Sequence, residues 1–350
     1  MKKIVSYIIL SAIMVTFLPY SALAETTNVG VKITGSASIE VVTTISADIT
    51  VDLTTGTTTP TYMEIQNNSL VPVSAKITNI TTTSEGAPST FVKASDKVWN
   101  NLSKADTKKY VNFNIIGEGQ DVEAKDILPN TEIDLGTLKA SIYGCGAEAG
   151  ISINQMNYSC NNGYAAYYNY YELNANLGSN WDEGEKNFTY QIETVYSKAD
   201  SDVSNNVSIA TMEGVSDLDP YFEYPQNMIS NENAKDFVNK LGLTDSSKLY
   251  FSLIFTTNKE SQEFDNQVIS NNIDVVVNDI YANRIKNDDL LGMGADSGAG
   301  TASFAMLFSI PKLEASSEGT THYLKVNVTI SKDATSTTFT FIKKVIAYSE

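Results

Sequence analysis

Apolar residues that alternate with polar ones constrain this chain more than any other feature. In the segment 323–330, Leu324, Val326, Val328 and Ile330 recur at every second position. The same parity runs through Val29, Val31, Ile33, Ala37, Ile39 and Val41. Further runs are Ile45, Ile49, Val51 and Leu53; Met63 and Ile65; and Val71, Val73, Ala75 and Ile77. A period of two places every apolar side chain on one face of an extended strand, so these are half-buried antiparallel strands. Threonine fills many of the polar positions, and β-branched residues suit a pleated surface. Further strands are expected at 110–116, 133–143, 187–196, 249–256, 273–281, 303–310 and 338–348. Helix is expected to be scarce. One short helix is predicted over 95–103, capped by Ser95, with Val98, Trp99 and Leu102 on one side. A second is predicted at 231–241, where Ala234, Phe237, Val238 and Leu241 share a face and Gly242 follows as a stop. The fold class is therefore mainly β: two antiparallel β-sandwich domains, Ig-like or jelly-roll-like, with a few short helices. The polar stretch 197–206 reads as the boundary. It gives an N-terminal domain over 25–200 and a C-terminal β-rich domain over 207–350.

Residues 1–24 carry a different pattern. Lys2 and Lys3 precede an apolar run to Phe17; Pro19 ends it, and Ala22-Leu23-Ala24 supplies a small-x-small cleavage site. This is the grammar of a signal peptide, and it predicts a secreted or cell-surface protein whose mature chain begins at Glu25. No later apolar run reaches the length of a membrane helix. In an oxidising compartment Cys145 and Cys160, the only cysteines, read as one disulfide closing a short loop.

Charge and composition exclude several functions. The net charge is −17, and arginine and histidine each occur once, as Arg284 and His322. Nucleic acid is not an expected partner, because no Lys/Arg cluster exists to release counterions. A zinc site of two histidines is impossible. A Ser-His-Asp triad would have to use His322, which lies at a strand start with no G-x-S-x-G elbow in the chain. No carboxylate pair is marked for glycosidase work, and no enzyme is predicted. Asp265, Asn266, Asn271, Asn272, Asp274, Asp279, Asp288, Asp289 and Asp296 make an oxygen-rich stretch that could suit calcium, although no EF-hand loop is present. No other cofactor is expected.

The tyrosines offer a recognition surface. Tyr158, Tyr164, Tyr167, Tyr168, Tyr170 and Tyr171 crowd one segment, with Trp181 close by in sequence. A flat apolar ring with a polar tip suits sugars and protein interfaces. In an extended chain, neighbours such as Tyr167 and Tyr168 point to opposite faces, one to the core and the other outward. Cleavage at Ala24 would also free residues 25–41, an alternating strand able to complete the sheet of a second copy.

Three phrases resemble known proteins: VGVKITGSASIEVV, YMEIQNNSLVPVSAKITNI and LNANLGSNWDEGEKNFTYQIETVY. The I-x-N-N-S-x-x-P-V unit at Ile65–Val73 and the W-x-[DE]-G-x-x-x-F-x-Y unit at Trp181–Tyr190 are similar to pieces of exported β-sandwich surface and matrix proteins of Gram-positive bacteria, of the TasA-like and camelysin-like kind. The similarity covers residues 25–196 and implies an extracellular structural role without catalytic residues. Together these readings predict a secreted, non-enzymatic surface or matrix protein: a fibre subunit or an adhesin, whose partner is itself or a cell-surface glycan or protein. A carbohydrate-binding module using 158–171 is the alternative, and a β-pore-forming toxin built from Thr-rich hairpins is a third reading.

Overall fold

The computed structural model describes residues 11–16, 29–33, 39–46, 58–144, 151–153, 163–165, 167–181, 188–199, 215–223, 243, 245–257, 272–285 and 302–349. The predicted helix at 231–241, the two cysteines and the aspartates at 265, 288, 289 and 296 lie outside these residues.

The described residues are almost entirely strand. In chain order the strands are β1 (Ser11–Thr16), β2 (Val29–Ile33), β3 (Ile39–Ser46), β4 (Thr61–Asn67), β5 (Val73–Thr82), β6 (Thr90–Phe91) and β7 (Tyr110–Ile116). There follow β8 (Gly119–Gln120), β9 (Lys125–Asp126), β10 (Ile133–Leu138), β11 (Ile142–Gly144), β12 (Ile151–Ile153), β13 (Gly163–Ala165), β14 (Tyr167–Leu177) and β15 (Thr189–Lys198). The last group is β16 (Val215–Glu223), β17 (Lys248–Thr257), β18 (Asn272–Val277), β19 (Ile280–Tyr281), β20 (Asn283–Arg284), β21 (Ala302–Pro311), β22 (Thr320–Lys332) and β23 (Thr335–Ala347). The chain forms two compact units. Unit 1 comprises 1–117, 123–147 and 161–204, and unit 2 comprises 118–122, 148–160 and 205–350.

Unit 1 is a sandwich. One sheet runs β1-β15-β5-β10, and the other runs β2-β3-β4-β14-β7-β6, with β9 also paired to β7. A single core lies between them. Val73, Ile77, Ile80, Tyr190 and Ile192 come from the first sheet; Val41, Met63, Ile65, Phe113, Leu173 and Leu177 come from the second. The hydroxyls of Thr43 and Tyr196 meet across the sandwich and tie the two sheets together. In β5 the alternation breaks: Val73, Ala75 and Ile77 are buried, and the next buried residue is Ile80. Thr78 is the cause. Glu193 pairs with Asn79 and Thr194 with Ile77, so Thr78 is an extra residue in a β-bulge that resets the parity.

Unit 2 is built the same way. The sheet β23-β22-β18-β19 faces the sheet β16-β17-β21-β20, and Phe251, Phe308 and Phe255 pack with Val326, Val328, Ile330 and Phe339. The β22–β23 hairpin pairs continuously from Thr320↔Ala347 to Lys332↔Thr335, the long ladder that strict alternation at 324–330 predicts. The outer edge of β23 is covered by two short strands from earlier in the chain. The pairs are β8 at Phe339 and Thr340, and β12, in parallel, at Val345–Ala347. Ile153 of β12 is fully buried in this core.

Two expectations need correction. The segment 25–41 is not one strand, because β2 and β3 form an antiparallel hairpin in which Val31 faces Val41 and Ile33 faces Ile39. Val31, Ile33, Ile39 and Val41 keep one parity, so alternation alone runs straight from β2 into β3. The helix at 95–103 is replaced by two 3₁₀ turns, Ala94–Asp96 and Trp99–Asn101, and the α-helical turn follows at Lys104–Thr107. Val98 is 64% exposed while Trp99 and Leu102 are half-buried, so the three do not share one buried face. Ser103, whose hydroxyl accepts from the Asp106 amide at 3.1 Å, is the cap in place of Ser95. Sequence reading also missed β16, because Asp217, Asp219 and Pro220 interrupt its apolar pattern.

Candidate functional site

The tyrosine-rich segment becomes β14, the strand between β4 and β7. Its alternation sends Tyr171, Leu173, Ala175 and Leu177 to the core. Tyr168, Tyr170, Glu172, Asn174 and Asn176 occupy the opposite face by the same parity. Pairing sets Tyr170 opposite Glu64 and Glu172 opposite Tyr62, while Asn174 and Asn176 oppose Asn114 and Asn112. The result is a polar ladder across three strands.

The ladder is closely satisfied. Asn174 Nδ2 donates to Glu172 Oε1 at 2.8 Å. Asn176 Nδ2 and Asn114 Nδ2 both donate to Asn112 Oδ1, at 2.9 and 3.1 Å. Asn112 Nδ2 in turn donates to Asp126 Oδ1 at 2.7 Å and to the Val92 carbonyl at 2.9 Å. Glu172 and Glu64 are only 2% and 6% exposed, and Asn112 is fully buried. A buried polar group is costly without partners, which accounts for the dense mutual bonding. Tyr168 and Tyr170 stack with centroids 6.5 Å apart and planes within 8°. Burial, and then the neighbouring Glu64 carboxylate, push the Tyr168 hydroxyl above its ordinary pKa. Chemically the face offers amide donors and acceptors, carboxylates and aromatic rings. Most of these groups are buried and bonded to one another, and Tyr168, Asn174 and Asn176 are the half-exposed members. Among the described residues no group of three or more acidic, histidine or cysteine side chains could hold a metal ion.

The residues singled out from sequence separate into distinct places. Tyr171 turns into the core, and its hydroxyl donates to the Leu135 carbonyl at 2.7 Å. Trp181 packs against the same core, 5.2 Å from the Phe188 ring, and its indole N–H donates to the Gly178 carbonyl at 2.6 Å. Tyr167 lies under the Lys139 ammonium, 5.4 Å from it, at the start of β14. Tyr168 and Tyr170 stand on the polar ladder. Tyr164 lies in β13, paired through its backbone with Tyr143, and Tyr158 is outside the described residues. The expected split of each tyrosine pair into one buried and one exposed member does not occur at Tyr170-Tyr171: they take opposite faces, yet both are buried. Of the acidic stretch, Asn272, Asp274 and Asp279 are described, and all three are exposed. His322 Nε2 donates to the Glu314 carbonyl at 2.7 Å.

The N-N-S phrase does structural work. Asn67 is fully buried at the end of β4. Its Nδ2 donates to the carbonyls of Val71 and Lys139, at 3.0 and 2.9 Å, and its Oδ1 accepts from the Ser69 amide at 2.9 Å. The Ser69 hydroxyl accepts from the Glu40 amide at 2.6 Å. Ser141 closes the knot, donating its amide and hydroxyl to the Ser69 carbonyl. Strand β3, the turn after β4 and the loop after β10 are thereby fastened at one point.

No family model matches this sequence, and no curated protein matches it. A search of solved structures returned the CupB6 tip adhesin from Pseudomonas aeruginosa, at 8% identity over 97% of this chain and 98% of that one. The TM-score is 0.21, and that likeness carries no argument here.

Proposed function

We propose that this protein is a secreted, non-enzymatic subunit of a bacterial surface or extracellular matrix, which works by strand-to-strand assembly and adhesion. The observation that carries this reading is the place of β2. Among the described residues this first strand after the expected cleavage site is the terminal strand of its sheet, paired with β3 alone. An edge strand presents a row of backbone donors and acceptors to any other chain. Two sandwich cores, acidic composition and the cleavable leader fit a subunit that works outside the cell. The hydrogen bond from His322 to a backbone carbonyl suits a structural histidine better than a general base. Among the described residues no helix is long and apolar enough to cross a membrane.

The test is sedimentation velocity and electron microscopy on the chain 25–350 and on 34–350, which lacks β2. Concentration-dependent oligomers that disappear in 34–350 support the reading, and a strict monomer at high concentration overturns it.

The half-exposed Tyr168, stacked on Tyr170, favours a second reading, carbohydrate binding. A glycan array silent for the wild-type chain would remove it.

A further inference from the structure

One strand of unit 1 comes from the segment read as the leader. β1 pairs antiparallel with β15 over its whole length, from Ser11↔Thr194 through Ile13↔Ile192 and Val15↔Tyr190 to Thr16↔Thr189. Among the described residues it is the terminal strand of its sheet, so its removal makes β15 the edge. That edge is well suited to receive a strand. Tyr190, Ile192 and Thr194 are all buried, and they form the core-facing row against which Val15, Ile13 and Ser11 are registered. Once β1 is gone, β5 is the one strand still paired with β15 among the described residues, and the β15 backbone groups that had bonded β1 are open to another strand.

We infer that residues 11–16 cap this edge in the precursor, and that cleavage opens β15 to the β2 edge of a second copy. The inference rests on the assembly reading above and adds the acceptor and its control. β2 fits the vacancy by pattern. In the register of β1, Val29, Val31 and Ile33 would stand opposite Thr194, Ile192 and Tyr190, with Gly30 and Lys32 opposite Glu193 and Gln191. The same three β2 residues already pair with Thr43, Val41 and Ile39, which lie on the core face of their own sheet. A sheet continued from β2 of one copy to β15 of the next therefore keeps both apolar rows on one side, and β2 need not leave β3. The contact joins two different edges, β2 and β15, so it does not close on itself and propagates into a filament.

The experiment uses two labelled peptides, one spanning residues 10–17 and one spanning 28–34, each with added lysines for solubility. Binding is measured by fluorescence anisotropy to three folded proteins: the chain 25–350, the full chain 1–350, and the full chain with Ile13→Asp and Val15→Asp. The expected result is saturable binding of both peptides to 25–350, binding at least tenfold weaker to 1–350, and recovery in the double variant. Equal binding to 25–350 and 1–350 would overturn the cap. Failure of both peptides to bind 25–350 would overturn the acceptor edge, while sedimentation of the same sample reports separately whether the chain assembles at all.

Discussion

Replacing Asn67 by alanine tests whether the N-N-S phrase is a structural knot. The change removes three hydrogen bonds, of 2.9, 2.9 and 3.0 Å, at a residue with no solvent exposure. Each such bond contributes about 1 kcal/mol, and a buried group left unpaired costs about 1–3 kcal/mol. Two carbonyls and one amide lose a partner here, so the expected loss is about 3–5 kcal/mol. That is a large share of the ~5–15 kcal/mol that holds a typical domain together. Asn68→Ala is the control. The only side-chain bond it gives up is acceptance from Gln66 Nε2, and it should cost less than ~0.5 kcal/mol at this partly exposed site. Asn67→Asp adds a pH signature. The carboxylate would face two carbonyl oxygens in a dry site, which raises its folded-state pKa above the unfolded value. For an acid shifted in that direction, stability is greatest below the unfolded pKa and falls as pH rises through the folded pKa. The variant should therefore be less stable at pH 7 than at pH 5. Urea unfolding followed by tryptophan fluorescence is the assay, because Trp99 and Trp181, the two tryptophans of the chain, both lie in unit 1. An Asn67→Ala loss below ~1 kcal/mol, or one matched by Asn68→Ala, would refute the reasoning.

Gly319→Ala should destabilise unit 2 by about 2–4 kcal/mol, because Gly319 has φ +89° and an added Cβ would lie 2.7 Å from the Tyr348 ring and 2.8 Å from Ile346 Cγ2. Differential scanning calorimetry should show one unit's transition lowered, and an unchanged thermogram would count against it. Burial pushes the hydroxyls of Tyr190, Tyr196 and Tyr168 above their ordinary pKa, so the folded state holds these protons longer than the unfolded one. Their contribution is intact below the unfolded value of about 10 and is lost as pH climbs above it. The urea midpoint should thus stay level to about pH 9 and drop beyond pH 10, with part of the 295 nm tyrosinate signal arriving only on unfolding. The isolated fragment 205–350 should self-associate or melt early, since it lacks β8 and β12 on the edge of β23 and Ile153 in the core; a stable monomer by sedimentation would contradict that dependence.

Alternation was enough to read most strands, and it worked best where a strand has one dry face and one wet one. β22 is the clear case: Leu324, Val326, Val328 and Ile330 are all buried, and the polar residues between them are not. Alternation failed where the partner strand decides the register. Nothing in the local sequence marks Thr78 as a bulge, because the extra residue exists only relative to β15. The candidate face was half legible. The tyrosines were visible as a cluster, but the asparagine and glutamate ladder beside them is spread over β4, β7 and β14, and only sheet pairing brings it together. Asn67 carried a signal as a motif; its role depended on Lys139 and Ser141, which are distant in sequence.

The class of structure follows from alternation alone: a period of two, repeated along both halves, can bury its apolar rows only between packed sheets. Charge, apolar run and small-x-small site also predict a leader over the first 24 residues. Tertiary structure decided which edges meet. The placement of β1 on β15, of β8 and β12 on β23, and the splitting of 25–41 into a hairpin all follow from backbone pairing. Backbone donors and acceptors are the same in every residue but proline, so pairing between distant strands leaves little trace in the side-chain pattern.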